Sequence, residues 1–305
     1  MDIAIFIIAM SALIYGADFI IEESEKIALH FNISSFIIGA TLIALGTSLP
    51  EMAVSMSASL QGSGDIAVAN VIGSTIFNIS LVLGFVFLIA TKISPSRDLF
   101  AKDSAWALFP ILIFILMGID GKLSRFDGFL FLLLMVAYLV FLIQSNQIEE
   151  PENEQKKENF AWKKTIGLLF IGFIFVILGA DFAIDSAGNI ARQFGVSEWI
   201  IGLFLVAFGT SLPELTVAIK AARANNADMA IGAIIGSNVA NFTMVLGLSS
   251  VINPLNVDLS TNFFDITAAL IVSVMLVFIT ANKLYNKRAG IVLLTVLALV
   301  VSHSF

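Results

Sequence analysis

The sequence predicts an all-α membrane protein in which ten transmembrane helices form two inverted-topology repeats of five, with helices 2 and 7 broken at mid-membrane. Three observations predict this fold class. Apolar runs of membrane-spanning length follow one another along the chain, and the two halves of the chain repeat each other. One polar stretch, GTSLPE, also interrupts an apolar run in each half, at residues 46–51 and 209–214.

The composition is that of an integral membrane protein. Of the 305 residues, 58% are hydrophobic and 13% are charged, and the mean hydropathy is +0.98. A soluble domain is about half apolar and about a quarter charged. The chain has no cysteine, which excludes disulfides and thiolate chemistry. The first residues, MDIAIFIIAMSALIYG, lack a basic segment and a cleavage site, so we expect an uncleaved first helix.

Apolar runs long enough to cross a bilayer, which takes roughly 17–25 residues, occur ten times. They lie at about 3–22, 34–60, 66–91, 103–119, 126–144, 164–184, 197–222, 228–252, 263–281 and 287–303. The one long polar connection, 145–163, predicts a linker between a first five-helix repeat at 1–144 and a second at 164–305.

The distribution of basic residues predicts the orientation, because Lys and Arg accumulate in cytoplasmic loops. Thirteen of the sixteen lie on one side of the predicted spans, and only Lys122, Arg125 and Arg192 lie on the other. We therefore expect a multi-pass protein of the cell (inner) membrane. Its N- and C-termini lie outside and the 145–163 loop is cytoplasmic.

The repeat is visible when the chain is shifted by 163 residues. Gly16–Gly84 then aligns with Gly179–Gly247 without a gap, and 31 of the 69 positions are identical. Five spans are an odd number, so the second copy must enter the membrane from the opposite side, as in many secondary transporters. A duplication that merely gives a symmetric bundle is the alternative, but the most polar stretches are the most similar ones, which favours a shared function.

Each GTSLPE stretch contains a lone charged residue: Glu51 is the only one between about 34 and 60, and Glu214 is the only one between about 199 and 219. An intramembrane carboxylate costs at least ~2.5–3.5 kcal/mol, so it marks a functional site by default. Proline removes a backbone donor and weakens the helix just before the carboxylate. We expect carbonyls near Ala44 and Thr47, and their counterparts in the second half, to be released. Hydroxyl and carboxylate oxygens without nitrogen or sulfur ligands favour an alkali or alkaline-earth cation.

The third and eighth spans carry matching polar pairs. Ser74 and Asn78 lie four residues apart on one helix face, and so do Ser237 and Asn241. Such pairs can join helices, but their place after each Glu-bearing span favours cation ligands. Asn238 lies off that face and is a weaker candidate. The neighbouring glycines in both spans are expected to let helices approach closely.

At these residues the sequence resembles the calcium/cation antiporter superfamily, specifically its prokaryotic sodium/calcium exchangers. The resemblance rests on GTSLPE twice, each followed by GS and an Asn, in alpha motifs at 39–84 and 202–247, and it extends over essentially the whole chain. It implies a secondary-active antiporter that exchanges Na⁺ for Ca²⁺ by alternating access, around clustered cation sites at mid-membrane.

Carried over residue by residue, the resemblance implies twelve cation ligands, six from each repeat. They are Ala44 (carbonyl), Thr47, Ser48, Glu51, Ser74, Asn78, Ala207 (carbonyl), Thr210, Ser211, Glu214, Ser237 and Asn241.

One position departs from part of the family. Some members, including potassium-dependent exchangers, carry Asp where this chain has Asn241, which leaves the expected pocket with two formal charges instead of three. A potassium-independent exchanger is therefore favoured. Two glutamates neutralise one Ca²⁺, whereas three Na⁺ would leave one positive charge, so we expect an electrogenic three-for-one exchange. A proton-coupled Ca²⁺ antiporter of the same fold is the alternative.

Two other classes of protein, a cation channel and an intramembrane enzyme, fit the sequence less well. A cation channel would also need buried carboxylates, but it usually builds its filter from several subunits around one axis. An intramembrane enzyme could use paired acids, but no second nucleophile, cofactor motif or His/Asp partner accompanies the two glutamates, so we expect no enzyme activity and no cofactor. Ca²⁺ and Na⁺ are the expected substrates of a protein that works as a monomer in membrane lipid and binds no nucleic acid.

Overall fold

The fold is nearly all helical in the computed structural model, which describes residues 2–89, 95, 98–99, 103–145, 161–193 and 207–303. The helices, labelled in chain order, are α1 (Asp2–Phe31), α2 (Ser35–Thr47), α3 (Leu49–Leu60), α4 (Gly64–Ile89), α5 (Ser104–Met117), α6 (Arg125–Gln144), α7 (Trp162–Gln193), α8 (Ala207–Thr210), α9 (Leu212–Arg223), α10 (Ala227–Ile252), α11 (Phe263–Ala281) and α12 (Lys287–His303).

Membrane-spanning helices dominate the described residues. Six helices are long and apolar enough to cross a membrane, or seven when α2 and α3 are counted as one bent span. The prediction of a helical membrane protein is therefore confirmed. Residues 197–206 of the predicted seventh span and 146–160 of the predicted linker lie outside the described residues. The arrangement of ten helices as inverted repeats stays a prediction.

The helix interruption predicted at the first GTSLPE stretch is present. The α2 and α3 helices meet at an angle of 45°, and Ser48 between them has non-helical backbone angles. Pro50 lies within the first two positions of α3, where a missing N–H is tolerated because the first turn has no helical acceptor. The second stretch follows the same plan, with Ser211 separating α8 from α9. The sequence therefore ends one helix and starts another in front of each glutamate.

The described residues include a small ribbon that the sequence did not predict. Its strands β1 (Lys122–Leu123) and β2 (Leu255–Asn256) are antiparallel, and Lys122 pairs with Asn256. The ribbon joins the loop before α6 to the loop after α10, and it ties the two halves together at one end of the bundle. Strands of two residues are too short to give a periodic pattern in the sequence.

The α4 and α10 helices form the interior of the bundle. In the apolar segments of these two helices 67% and 94% of the residues are buried, compared with 28% in the apolar segments of α1 and α6. Such a difference is expected, because a helix with apolar or small side chains on every face has no polar face to present to solvent. The two interior helices carry the polar pairs that the sequence singles out, so those pairs lie far from lipid.

The repeated glycine before each Ser differs between the halves. A Cβ on Gly236 in α10 would collide with the backbone carbonyl of Ala40 in α2, whereas a Cβ on Gly73 in α4 would meet nothing within 4 Å. The expectation that both glycines permit close helix packing is therefore correct for Gly236 and wrong for Gly73. Gly236 lets α2 and α10 touch through their backbones, which brings the first half against the second.

We predict that Gly236→Ala destabilises the protein and that the matched variant Gly73→Ala does not. Overpacking a tight interior typically costs about 1–3 kcal/mol, whereas Ala in an open helical position improves helix propensity by up to about 1 kcal/mol. Thermal unfolding of the two purified variants in detergent measures the difference. Equal unfolding temperatures would contradict the close contact between α2 and α10.

Candidate cation site

Glu51 and Glu214 lie at equivalent places, each in the first turn of the helix that follows a break. Both are buried, with 0% and 4% of their surface exposed. A carboxylate in the first turn is stabilised by the N–H groups and the positive end of the helix dipole. The breaks therefore supply two helix N-termini in the protein interior, and a glutamate is attached to each.

The two halves exchange contacts at these glutamates. Ser48, from the first break, donates a hydrogen bond through Oγ to Oε1 of Glu214 at 3.2 Å. The Thr210 side chain, from the second break, and the Glu214 carboxyl group both lie close enough to Glu51 to interact with it electrostatically. Each carboxyl group thus faces hydroxyl groups of the opposite half, and the two carboxyl groups share one buried region.

Many oxygen atoms in this region have no hydrogen-bond partner among the described residues. The buried oxygens in this condition are Oε1 and Oε2 of Glu51, Oγ of Ser74, Oδ1 of Asn78, Oγ1 of Thr210, Oγ of Ser211, Oε2 of Glu214 and Oδ1 of Asn241. A buried polar group left without a partner costs about 1–3 kcal/mol, and more when it is charged. Carboxylate, hydroxyl and amide oxygens of this kind are the type of ligand that a hard cation such as Ca²⁺ takes.

The Ala44 carbonyl was expected to lack a helical hydrogen bond, and the structure differs from that expectation. The carbonyl is not released by the helix break, because it accepts a hydrogen bond from the Ser48 amide at 3.1 Å. The Thr47 hydroxyl also donates to it at 3.3 Å, and the Ser237 hydroxyl of α10 lies at 3.5 Å. Ser48 adopts a turn that keeps the i to i−4 bond, so the proline two residues later does not disturb it. Any cation at this carbonyl would share its oxygen with these donors.

Thr47 keeps acceptor capacity. Its hydroxyl donates to the Ile43 carbonyl at 3.1 Å and to Ala44, and a hydroxyl that donates still has two lone pairs. On the second half, Ala207 begins α8, and its side chain lies outside the described residues. The twelve sequence-predicted ligands thus fall at the two breaks and on the interior helices, but no distance in the structure tests the ligand set as a whole.

The two asparagines of the polar pairs mark irregular helix turns. Phe77–Leu83 in α4 and Asn241–Val245 in α10 are π-helical, so Asn78 and Asn241 lie at or next to the start of a wide turn. Such turns inside α-helices are frequent at functional sites. Ser74 and Asn241 have no side-chain hydrogen bond among the described residues. The other member of each pair does contact a second helix, since Asn78 bonds Asn238 and the Ser237 hydroxyl lies 3.5 Å from the Ala44 carbonyl.

Two asparagines that sequence reasoning rated low or missed bond other polar groups of the interior. Asn238 accepts a hydrogen bond from Nδ2 of Asn78 at 3.3 Å. Asn70 donates to the Glu51 carbonyl at 3.3 Å and to the Ser55 hydroxyl at 2.9 Å, which steadies the first turn of α3. The available signal was an amide in an apolar span, but its partners lie too far away in sequence to be identified from it.

Long apolar helices around buried carboxylate, hydroxyl and amide oxygens define an integral membrane protein of the ion-transporter class. The family model described as sodium/calcium exchanger protein matches residues 1–144 and 164–305. The chain therefore belongs to the sodium/calcium exchanger family, as its resemblance predicted.

Individual relatives cover almost the entire chain. An uncharacterized membrane protein of Methanocaldococcus jannaschii is 37% identical over 96% of this chain and 95% of its own length. The sodium/calcium exchanger MaX1 of Methanosarcina acetivorans is 30% identical over 95% and 94%. A structure of the sodium-calcium exchanger NCX_Mj, soaked without Na⁺ and Ca²⁺, superimposes with a TM-score of 0.86 at 34% identity. It covers 100% of this chain and 99% of that one.

We predict that Ca²⁺ raises the unfolding temperature of the purified protein and that Glu51→Gln abolishes this rise. A ligand at 100 times its Kd stabilises the folded state by about 2.7 kcal/mol. Without Ca²⁺ the variant should be at least as stable as the wild type, because one of two neighbouring buried charges is gone. Glu22→Gln, which neutralises an exposed glutamate in α1, is the control and should keep the Ca²⁺ response. A full response in Glu51→Gln would remove Glu51 from the cation site.

Proposed function

We propose that the protein is a secondary-active antiporter that exchanges Na⁺ for Ca²⁺ by alternating access. The observation that carries the proposal is the pair of buried glutamates, one from each half, whose oxygens are largely without hydrogen-bond partners among the described residues. These oxygens are hard ligands, which suit Ca²⁺ and Na⁺ better than transition metals. Family membership supports the same pair of ions.

The proposed architecture has ten transmembrane helices in two inverted five-helix repeats, 1–144 and 164–305, joined by a cytoplasmic linker at 145–163. Two features 163 residues apart support the repeats: Glu51 and Glu214 each follow a helix break, and each half has a π-helical turn beside its site asparagine. The family match leaves out residues 145–163. The distribution of Lys and Arg supports termini outside the cell membrane.

The proposed site consists of the twelve ligands that the family resemblance implies. Side chains from both halves contribute, and Ser48 already bonds Glu214 across the boundary between them. All proposed ligands belong to one chain, so a monomer in membrane lipid suffices for transport. No cofactor takes part in the proposed mechanism, and no covalent step is required.

Charge balance couples the two fluxes in this proposal. One Ca²⁺ between two glutamates is neutral, and three Na⁺ leave one positive charge. The empty site holds two buried negative charges, which are strongly unfavourable in a low-dielectric interior without partners. A change from outward to inward access is therefore disfavoured until a cation load neutralises the site. Exchange results, because each crossing needs either Ca²⁺ or Na⁺.

The proposed moving unit is the pair of α1 and α7. These helices pack backbone against backbone: a Cβ on Gly16 would lie 2.8 Å from the Gly172 carbonyl, and one on Gly172 would lie 2.9 Å from the Gly16 carbonyl. Small residues at such a contact permit close helix packing in a membrane. The Phe173 ring of α7 lies directly against Gly46 in front of the first break, so a shift of this pair would uncover one side of the glutamate region.

Uptake of ⁴⁵Ca²⁺ into proteoliposomes tests the proposed function. With an outward Na⁺ gradient we expect rapid uptake, and with K⁺ or choline in place of Na⁺ we expect none above empty liposomes. Glu51→Gln and Glu214→Gln should each lower the rate by about 100-fold or more, since loss of a buried charge partner costs about 3 kcal/mol or more.

The alternatives give different outcomes in the same assay. Uptake driven by a pH gradient and indifferent to Na⁺ would identify a proton-coupled antiporter. Flux that persists without any counter-ion would identify a channel. Either result would overturn sodium/calcium exchange as the function of this chain.

We predict that Na⁺-driven uptake responds to membrane potential. Three Na⁺ leaving for each Ca²⁺ that enters carry one net positive charge outward, so a potential that is positive inside should speed uptake and one that is negative inside should slow it. One elementary charge moved through 100 mV corresponds to about 2.3 kcal/mol. Valinomycin with chosen K⁺ gradients sets the potential at a fixed Na⁺ gradient. Initial rates that are identical at all potentials would contradict the three-for-one stoichiometry.

A further inference from the structure

Asn78 and Asn238 form a buried hydrogen bond between the two halves of the protein. Nδ2 of Asn78 in α4 donates to Oδ1 of Asn238 in α10 at 3.3 Å. Both side chains are almost completely buried, with 0% and 1% of their surface exposed. The other end of the Asn78 amide, Oδ1, has no hydrogen-bond partner among the described residues.

Among the described residues, this bond has no equivalent at the corresponding positions of the repeat. The residue 163 positions before Asn238 is Thr75, and its hydroxyl donates to the Val71 carbonyl of its own helix at 2.9 Å. Asn241, the counterpart of Asn78, is buried, and neither its Nδ2 nor its Oδ1 has a hydrogen-bond partner in the part of the chain that the structure describes. The repeat is therefore asymmetric where the two site asparagines are concerned: one amide is held by a neighbour and the other is not.

The orientation of an asparagine amide decides whether it can bind a cation. The oxygen is an acceptor and the NH₂ group is a donor, and rotation about χ2 exchanges their positions. A donor cannot coordinate a cation. An acceptor beside the NH₂ end favours the orientation in which the oxygen points away from that acceptor, and Asn238 Oδ1 is such an acceptor for Asn78.

We infer that Asn238 is a positioning residue for cation binding, which fixes the Asn78 amide so that its oxygen is available as a ligand. The inference rests on the proposed function, because it takes the cation site to include Asn78. Asn238 acts through Asn78 and is not itself a ligand. Groups outside the ligand shell that orient a ligand typically affect metal affinity by about 10- to 100-fold when they are replaced.

The test compares the Ca²⁺ dependence of uptake among four variants at two positions, Asn238 and Thr75. Asn238→Ala removes the acceptor and should raise the KM for Ca²⁺ in Na⁺-driven uptake by about 10-fold with little change in kcat. Asn238→Thr introduces the residue found at the equivalent position of the first half, and it fills more space than Ala. It should raise the KM as Asn238→Ala does, and it replaces that variant in the test if the Ala variant folds poorly. Asn238→Asp keeps an oxygen at Oδ1 and should hold the KM at or below the wild-type value. Thr75→Ala is the matched control and should leave the KM unchanged.

A double-variant cycle with Asn78→Ala separates positioning from a general structural role. Once Asn78 is removed, Asn238→Ala should raise the KM no further. A wild-type KM in Asn238→Ala and Asn238→Thr, a raised KM in Asn238→Asp, or an undiminished effect of Asn238→Ala in the Asn78→Ala background would each overturn the inference.

Equilibrium binding of ⁴⁵Ca²⁺ to the detergent-purified variants distinguishes failure of this inference from failure of the proposed function. Binding needs no Na⁺ coupling, so the comparison of Asn238→Ala with Thr75→Ala is valid even for a protein that does not exchange Na⁺. Weaker binding in Asn238→Ala alone supports the positioning role, and equal binding in the two variants contradicts it. Absence of Na⁺-driven uptake by the wild type contradicts the proposed function instead.

Discussion

The burial of two carboxylates beside each other is the constraint on which the rest of the structure depends. Glu51 and Glu214 are both buried and electrostatically close, an arrangement that is unfavourable in an apolar interior unless other groups compensate. Two helix N-termini supply part of that compensation, and they exist only because the chain breaks at Ser48 and Ser211. The helix-breaking residues of GTSLPE thus serve the glutamate that ends the motif.

Close packing of the halves brings the remaining polar groups to the same region. Backbone contact between Gly236 and Ala40 fixes α10 against α2, and one residue later the Ser237 hydroxyl lies 3.5 Å from the Ala44 carbonyl. The Asn78–Asn238 bond joins the halves at another point. Each half alone would hold one carboxylate in apolar surroundings. The site therefore forms only when the two halves pack together.

The features that the sequence predicted correctly depend on residues that are close together along the chain. The helix breaks and the buried glutamates follow from prolines, glycines and lone charges within a few residues of one another, and both are found in the structure. The engaged Ala44 carbonyl, the different packing of Gly73 and Gly236, and the role of Asn238 depend on partners from other helices. Asn238 bonds a residue 160 positions away, and the repeat itself suggests the wrong answer there, because its counterpart Thr75 bonds its own helix.

Cation binding between Glu51 and Glu214, among buried oxygens without partners in the described part of the chain, is the proposal on which the exchange mechanism rests. Anomalous diffraction from crystals of this protein grown with Sr²⁺ in place of Ca²⁺ tests it most directly, since Sr²⁺ is a heavier divalent cation with similar preference for oxygen ligands. We expect an anomalous peak within coordination distance of both carboxylates in the wild type, and we expect that peak to be lost in Glu51→Gln. A peak bound elsewhere, with none at the two glutamates, would contradict it.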